Sequence, residues 1–162
     1  MTTVEERLRR LEDRQELADL VVRYFNACDE QDFDAVAETF ATDGEMGEGY
    51  GRDQVAELIR EDRSLMGPTI HSPDSMLFTF TDDDHASGVI AAHCELSRGG
   101  RTLYGAMRYL DTYVRERGTW RIATREVRMI HVGGWDEVGD SLSGEAPVRW
   151  PGEPPAAADP LV

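Results

Sequence analysis

Apolar residues change their spacing once along this chain, near residue 68, and that change restricts the folds open to it. Before it, Val4, Leu8, Leu11, Leu17, Leu20, Val21, Tyr24, Phe25 and Cys28 recur mostly at gaps of three and four, one stripe of a long amphipathic helix. Thr3 and Glu6 offer a capping box at its start. The acidic run Asp29-Glu30-Gln31-Asp32 breaks it. Asp32 or Asp34 can cap a short second helix with Phe33, Val36 and Phe40 inward, stopped by Asp43-Gly44. A brief strand from Glu45 to Tyr50 and a third helix after Gly51, with Asp53 as its cap and Val55, Leu58 and Ile59 inward, complete the helical half. Gly67-Pro68 ends it. From Thr69 the period is two: Met76, Phe78 and Phe80 alternate with Leu77, Thr79 and Thr81. Strands follow over Ser87–Leu96, Thr102–Arg115 and Thr119–Val132, joined by glycine-containing hairpin loops at 98–101 and 116–118. Helices first and strands afterwards predict an α+β domain, a curved antiparallel sheet with helices on one face. That domain is expected over residues 1–136. Residues 137–162, acidic and then rich in Pro and Ala, are expected to form a mobile tail.

Length agrees with one domain, since a chain of 162 residues can bury one sizeable core without disulfides or metals. Charge narrows the partners. Seventeen Lys and Arg against 32 Asp and Glu leave a net charge of −15, which disfavours nucleic acid and anionic lipid surfaces. Two cysteines cannot make a disulfide framework, and Cys28 and Cys94 read as buried thiols of a reducing compartment. The first residues carry Glu5 and Glu6 and no apolar stretch, unlike a signal peptide, and no run approaches 18 apolar residues. A cytoplasmic protein is expected.

Few ionisable residues have a reason to leave solvent. His85 lies in the acidic turn 82–85. His71 opens the first long strand, His93 lies mid-strand between small residues, and His131 closes the last strand; a strand histidine is commonly structural, satisfied by any backbone carbonyl. No helical His pair or Cys-x-x-Cys suggests a metal. Neither a nucleophile elbow nor a phosphate-binding glycine loop occurs. Metal and cofactors are therefore expected to be absent, which leaves acid–base chemistry by carboxylate, imidazole and phenol. Asp29, just after the inward stripe, is either a solvated helix end or an acid facing a cavity. Tyr24 is a core tyrosine by default. The two lie about 140° apart around a regular helix, so spacing alone does not unite them.

The strings Arg23-Tyr24-Phe25-Asn26-Ala27-Cys28-Asp29-Glu30-Gln31-Asp32-Phe33-Asp34 and Thr39-Phe40-Ala41-Thr42-Asp43-Gly44 resemble the SnoaL-like branch of the nuclear-transport-factor-2-like superfamily. Tyr109-Leu110-Asp111-Thr112-Tyr113 and Gly118-Thr119-Trp120-Arg121-Ile122-Ala123 agree with it. The resemblance spans Val4 to His131. It implies a cone-shaped α+β barrel, a curved sheet wrapped around the long helix and one apolar pocket. Within that branch the chain is most similar to cofactor-free eliminating enzymes: bile acid dehydratases, scytalone dehydratases and hexachlorocyclohexane dehydrochlorinases. The similarity implies Asp29 and His71 as a base dyad with Tyr24 as a pocket phenol. The scytalone dehydratase aspartate falls on Asn26, so that pattern is incompletely met. Glu48, near Tyr50, falls where ketosteroid isomerases carry their base, and Asp111 near their hydrogen-bonding acid. Glu48, Tyr50, His93, Met107 and Arg128 form the expected substrate-binding set, with Arg128 as pocket cation.

On this reading Asp29 holds one imidazole nitrogen and His71 removes a proton with the other, while Tyr24 polarises the activating group. The expected activity is a dehydratase acting on an apolar cyclic small molecule such as a polyketide, steroid or terpenoid. An isomerase or cyclase could use the same pocket. A non-catalytic binding module would not need Asp29 and His71 together. A homodimer or homotrimer packed through the open sheet face is expected.

Overall fold

The Thr3 hydroxyl accepts from the Glu6 amide at 3.1 Å, and the Thr3 amide donates to the Glu6 carboxylate at 2.7 Å, so the capping box forms as read. Helix α1 then runs over Val4–Glu30 in a computed structural model that describes residues 3–160. Gln31 ends it in the left-handed region at φ 57°. Asp32 caps α2 (Phe33–Thr39) by accepting from the Ala35 amide at 3.0 Å. The expected stop at Asp43-Gly44 is not where α2 ends. The chain is already extended at Phe40, and Asp43 and Gly44 lie inside strand β1 (Phe40–Met46). Gly47 turns at φ 58° into the short β2 (Gly49–Tyr50). Gly51, not Asp53, is the N-cap of α3 (Arg52–Arg63), with φ 83°.

Strands β3 (Met66–Phe80), β4 (His85–Arg98), β5 (Arg101–Glu116) and β6 (Thr119–Gly134) follow as successive hairpins. Gly67-Pro68 lies within β3, where proline is tolerated because β3 is an edge strand. The sheet order is β2-β1-β6-β5-β4-β3. It is mixed, not wholly antiparallel as expected: β1 runs parallel to β6, with Phe40 opposite Ile122. The early start of β1 supplies that strand, and the whole β3–β5 meander serves as its crossover. The sheet curves without closing, leaving β2 and β3 as its edges.

Two extra residues on β6 decide which side chains face inward. Tyr113 opposes Ile122 while Thr112 opposes Thr124, so Ala123 is a bulge. Ala106 opposes His131 while Met107 opposes Met129, so Ile130 is another. Each bulge flips the alternation. Trp120 and Ile122 point inward before the first, Arg125, Val127 and Met129 between the two, and Val132 after the second. The core joins Leu17, Leu20, Val21, Tyr24 and Phe25 of α1 to Ile90, Tyr113, Trp120 and Ile122 of the sheet. Val4, Leu8 and Leu11, placed on the same stripe by their spacing, stay exposed. That end of the helix is tied to the β3–β4 turn by Arg9 on Asp83 and Arg10 on the Asp82 carbonyl.

The segment after β6 carries structure of its own. Helix α4 (Trp135–Ser141) spans the expected boundary at residue 136. Val148 bridges in parallel to Val132 and antiparallel to Ala156. The Asp159 amide donates to the Met129 carbonyl, and its carboxylate accepts from the Met129 amide, both at 2.8 Å. Among the described residues, no helix is long and apolar enough to cross a membrane.

Candidate active site

Asp29 sits in the last turn of α1, where carbonyl ends point outward, no basic residue lies nearby in the turn, and a carboxylate is electrostatically misplaced. Strand β3 compensates. The Thr69 hydroxyl donates to Asp29 Oδ1 at 2.6 Å, His71 Nδ1 meets the same oxygen at 2.6 Å, and the His71 amide donates to Oδ2 at 2.8 Å. Partial burial is the largest single influence on this carboxyl and pushes its pKa up. The bonds from His71 and Thr69 together outweigh it and hold the pKa below the usual value. The group is therefore an ionised acceptor, which assigns the His71 proton to Nδ1 and leaves Nε2 as the free ring nitrogen. Phe25 stacks on the imidazole, centroids 5.2 Å apart and planes 9° from parallel, and fixes the ring's tilt.

His71 lines a cavity of about 170 Å³, open on one side, between α1, α3 and the inner face of the sheet. Tyr24 and Tyr109 form part of its wall, and Trp150 reaches it from the C-terminal segment. Sulfur dominates the remainder: Cys28, Cys94, Met46, Met66, Met107 and Met129 all contribute. Such a wall is soft and polarisable and suits a flat or unsaturated ring. Burial pushes both thiols up to about 11 and raises both phenols well above their ordinary value, so these groups are neutral at neutral pH. The Tyr24 hydroxyl points at Met46 Sδ, 3.9 Å away.

Of the residues expected at the site, the structure brings together Asp29, His71, Tyr24 and Met107. Tyr24 and Asp29 leave α1 on different flanks, as a regular helix requires. Tyr24 lines the cavity itself, whereas Asp29 lies behind its wall and meets the site through His71. The others lie elsewhere. Glu48 is exposed in the β1–β2 turn, and Tyr50 is 60% exposed, because β1 ends at Met46 and carries the chain away from the cavity. His93 faces the outer surface. Its neighbour Cys94 is opposite His71 and inward, so alternation turns His93 out, where Nδ1 meets Asp74 Oδ2 at 2.5 Å. Arg128 points outward between Val127 and Met129 and bonds Glu126 and the Pro160 carbonyl. Asp111 is locked in a buried pair. Arg125 Nε donates to Oδ1 at 2.9 Å and its Nη2 to Oδ2 at 2.6 Å, while the Tyr113 hydroxyl donates to Oδ2 at 2.6 Å. Burial acts to lower the Arg125 pKa, but the Asp111 charge and bonds raise it well above its usual value. Its guanidinium lies over the rings of Tyr24, at 4.1 Å, and Tyr109, at 4.8 Å.

Thr69, Arg63, Tyr109, Trp150 and three of the four methionines are site residues that sequence reasoning missed. Thr69 was within reach: two residues before His71 on one strand, it must share its face. Arg63 closes α3 and gave no signal beyond an ordinary basic last turn. Among the described residues no cluster of three metal-ligating side chains occurs.

A family model described as a SnoaL-like domain matches residues 9–126. No curated protein matches the sequence. Solved structures share the fold. A scytalone dehydratase candidate from Novosphingobium aromaticivorans is 16% identical, with a TM-score of 0.74 over 94% of this chain and 95% of that one. Hexachlorocyclohexane dehydrochlorinase LinA-type3 from Novosphingobium barchaimii is 22% identical, with a TM-score of 0.72 over 78% and 92%.

Proposed function

The chain belongs to the SnoaL-like domain family, and we propose that it is a cofactor-free lyase, a dehydratase whose base is His71 oriented by Asp29. The observation that carries this reading is the 2.6 Å contact between His71 Nδ1 and Asp29 with the ring lining a largely apolar cavity. His71 Nε2 takes a proton from a carbon next to an activating group. The C–H electron pair becomes a C=C bond as the neighbouring C–O bond breaks. The imidazolium returns its proton to the departing hydroxide, so water leaves and the histidine is neutral again. Asp29 holds the tautomer and stabilises the imidazolium while it exists.

The names of the two related structures, a dehydratase candidate and a dehydrochlorinase, belong to eliminating enzymes and support the reaction class. A cavity of about 170 Å³ favours a polyketide or terpenoid of one or two rings over a four-ring steroid. Isomerisation would use the same His71 shuttle, returning the proton to another carbon, and product analysis separates the two.

The test is a panel of cyclic β-hydroxy ketones of one and two rings, followed by the absorbance of the conjugated product. His71→Ala should lower turnover by about 10²–10⁴-fold, the usual worth of a positioned base. Asp29→Asn should also fall, because an amide cannot stabilise the charge of the ring and sets its NH2 against donors where the carboxylate only accepts. Tyr24→Phe should cost less than either. Near-normal turnover in both His71→Ala and Asp29→Asn would make the pair structural and end the proposal.

A further inference from the structure

Arg63 is the cation of the cavity. It is 7% exposed yet, unlike Arg125, it meets no carboxylate through its hydrogen bonds. Its Nη2 donates to the Thr69 hydroxyl at 2.6 Å, its Nη1 lies 3.7 Å from Met66 Sδ, and its Nε has no partner among the described residues. A guanidinium carries five N–H donors in a rigid fork, and burying it with neutral partners is costly unless something else meets the charge. The same Thr69 hydroxyl donates a hydrogen bond to Asp29 Oδ1, the oxygen that also meets His71 Nδ1. Three consecutive contacts of 2.6 Å therefore join Arg63, Thr69, Asp29 and His71.

The charges of this chain carry the argument. Arg63 is the cation on the cavity wall, Asp62 lines the same wall, and Asp29 lies one hydroxyl away from Arg63 through Thr69. When His71 takes a proton the site gains one positive charge, at the moment a substrate losing that proton gains one negative charge. Unused guanidinium N–H groups on the cavity wall are donors placed where such charge can be received before it forms. The tyrosines are less suited, since the Tyr24 and Tyr109 hydroxyls turn to methionine sulfurs and burial makes both phenols weaker acids.

We infer that Arg63 is the oxyanion donor of the site and that the substrate is a cyclic carbonyl compound with its leaving hydroxyl β to the carbonyl. This rests on the proposed function of the cavity and narrows it. His71 Nε2 removes the proton α to the carbonyl. The C–H pair forms a C=C bond to the carbonyl carbon, and the carbonyl π pair moves onto oxygen, against Arg63. The oxygen pair then re-forms C=O, the C=C shifts to the α,β position, and the β C–O bond breaks. Hydroxide leaves with the proton from His71 as water. A simple alcohol without a carbonyl leaves Arg63 unused and is not a substrate on this account.

A phenolate imitates the enolate and reports its own ionisation, so 4-nitrophenol and its neutral methyl ether, 4-nitroanisole, are the probes. Bound to the wild type, nitrophenol should ionise about one pH unit or more below its value in buffer, a tenfold or greater preference for the anion. Arg63→Met, close in volume, should abolish that preference and keep nitroanisole affinity, and Arg63→Lys should retain part of the preference. Thr69→Val cuts the relay but leaves the guanidinium in place. It should keep most of the preference, whereas a role confined to holding Thr69 predicts the same loss as Arg63→Met and overturns the inference. A wild type that binds nitroanisole and nitrophenol without shifting the ionisation also overturns it, while leaving the cavity as a ligand site. Failure to bind either probe removes the inference and the functional reading together.

Discussion

Arg125→Met should destabilise the fold by about 3–5 kcal/mol, the cost of leaving a buried carboxylate without its cation. The side chains of Arg125 and Asp111 are both fully excluded from solvent and meet through two hydrogen bonds. In the variant, Asp111 keeps only the Tyr113 hydroxyl. The guanidinium also lies 4.1 Å from the Tyr24 ring centroid and 4.8 Å from that of Tyr109, desolvated contacts that can add up to about 2 kcal/mol. The upper half of the range is therefore expected. For a chain of this length each kcal/mol moves Tm by roughly 2–4 °C, so calorimetry should record a fall of about 8–20 °C. Urea unfolding followed by tryptophan fluorescence gives the free energy directly. The double variant Asp111→Leu/Arg125→Met should recover most of the loss, because replacing both members of a buried pair by apolar groups is often neutral or stabilising. A single variant within about 1 kcal/mol of wild type, the worth of a surface ion pair, would refute the reasoning. So would a double variant no more stable than the single.

Thr69→Val removes one of the three bonds that hold Asp29 ionised; the carboxyl pKa should rise and turnover should fall about tenfold, the equivalent of one charge-assisted hydrogen bond. His131 is buried with its Nδ1 unpartnered among the described residues, and burial, reinforced by the charge of His93, lowers its pKa. Its neutral form is the folded form, so its contribution is present above the unfolded value of about 6.5 and is lost as pH falls through the lower folded value. Urea midpoints should drop below about pH 6.5 in the wild type, with a shallower slope in His131→Leu. Leu77, Val89 and Leu110 form one outer-facing row across β3, β4 and β5, with Leu77 65% exposed; light scattering should show a dimer or trimer, and Leu77→Glu should shift it toward monomer.

The fold was legible where local chemistry and global packing agree. The capping box at Thr3, the glycine loops at Gly99-Gly100 and Arg117-Gly118, each with positive φ, and the alternation of Met76, Phe78 and Phe80 all stand as read. What escaped depends on pairing that no local window contains. β1 exists because Phe40 finds Ile122, far along the chain. Arg128, which the resemblance implied as pocket cation, points outward and Arg125 inward because the bulge at Ala123 shifts the alternation, and that bulge is set by register against β5. Within the site, Asp29 and His71 are brought together by the docking of a helix end on β3. Asp29 lies in a string that carried the resemblance and the resemblance implied His71, but the 2.6 Å contact is a product of packing. Arg63 and Trp150 carried no motif at all.

The Nδ1–H tautomer of His71 is the point on which the account turns, since only that tautomer leaves Nε2 free to accept a proton in the cavity. Long-range proton–nitrogen NMR correlations on protein labelled at its histidines, assigned through His71→Gln, read the tautomer of the neutral ring. The account predicts the proton on Nδ1, lying against the Asp29 carboxylate, and a change of that pattern in Asp29→Asn. A neutral ring protonated on Nε2, with the same pattern in Asp29→Asn, would contradict it.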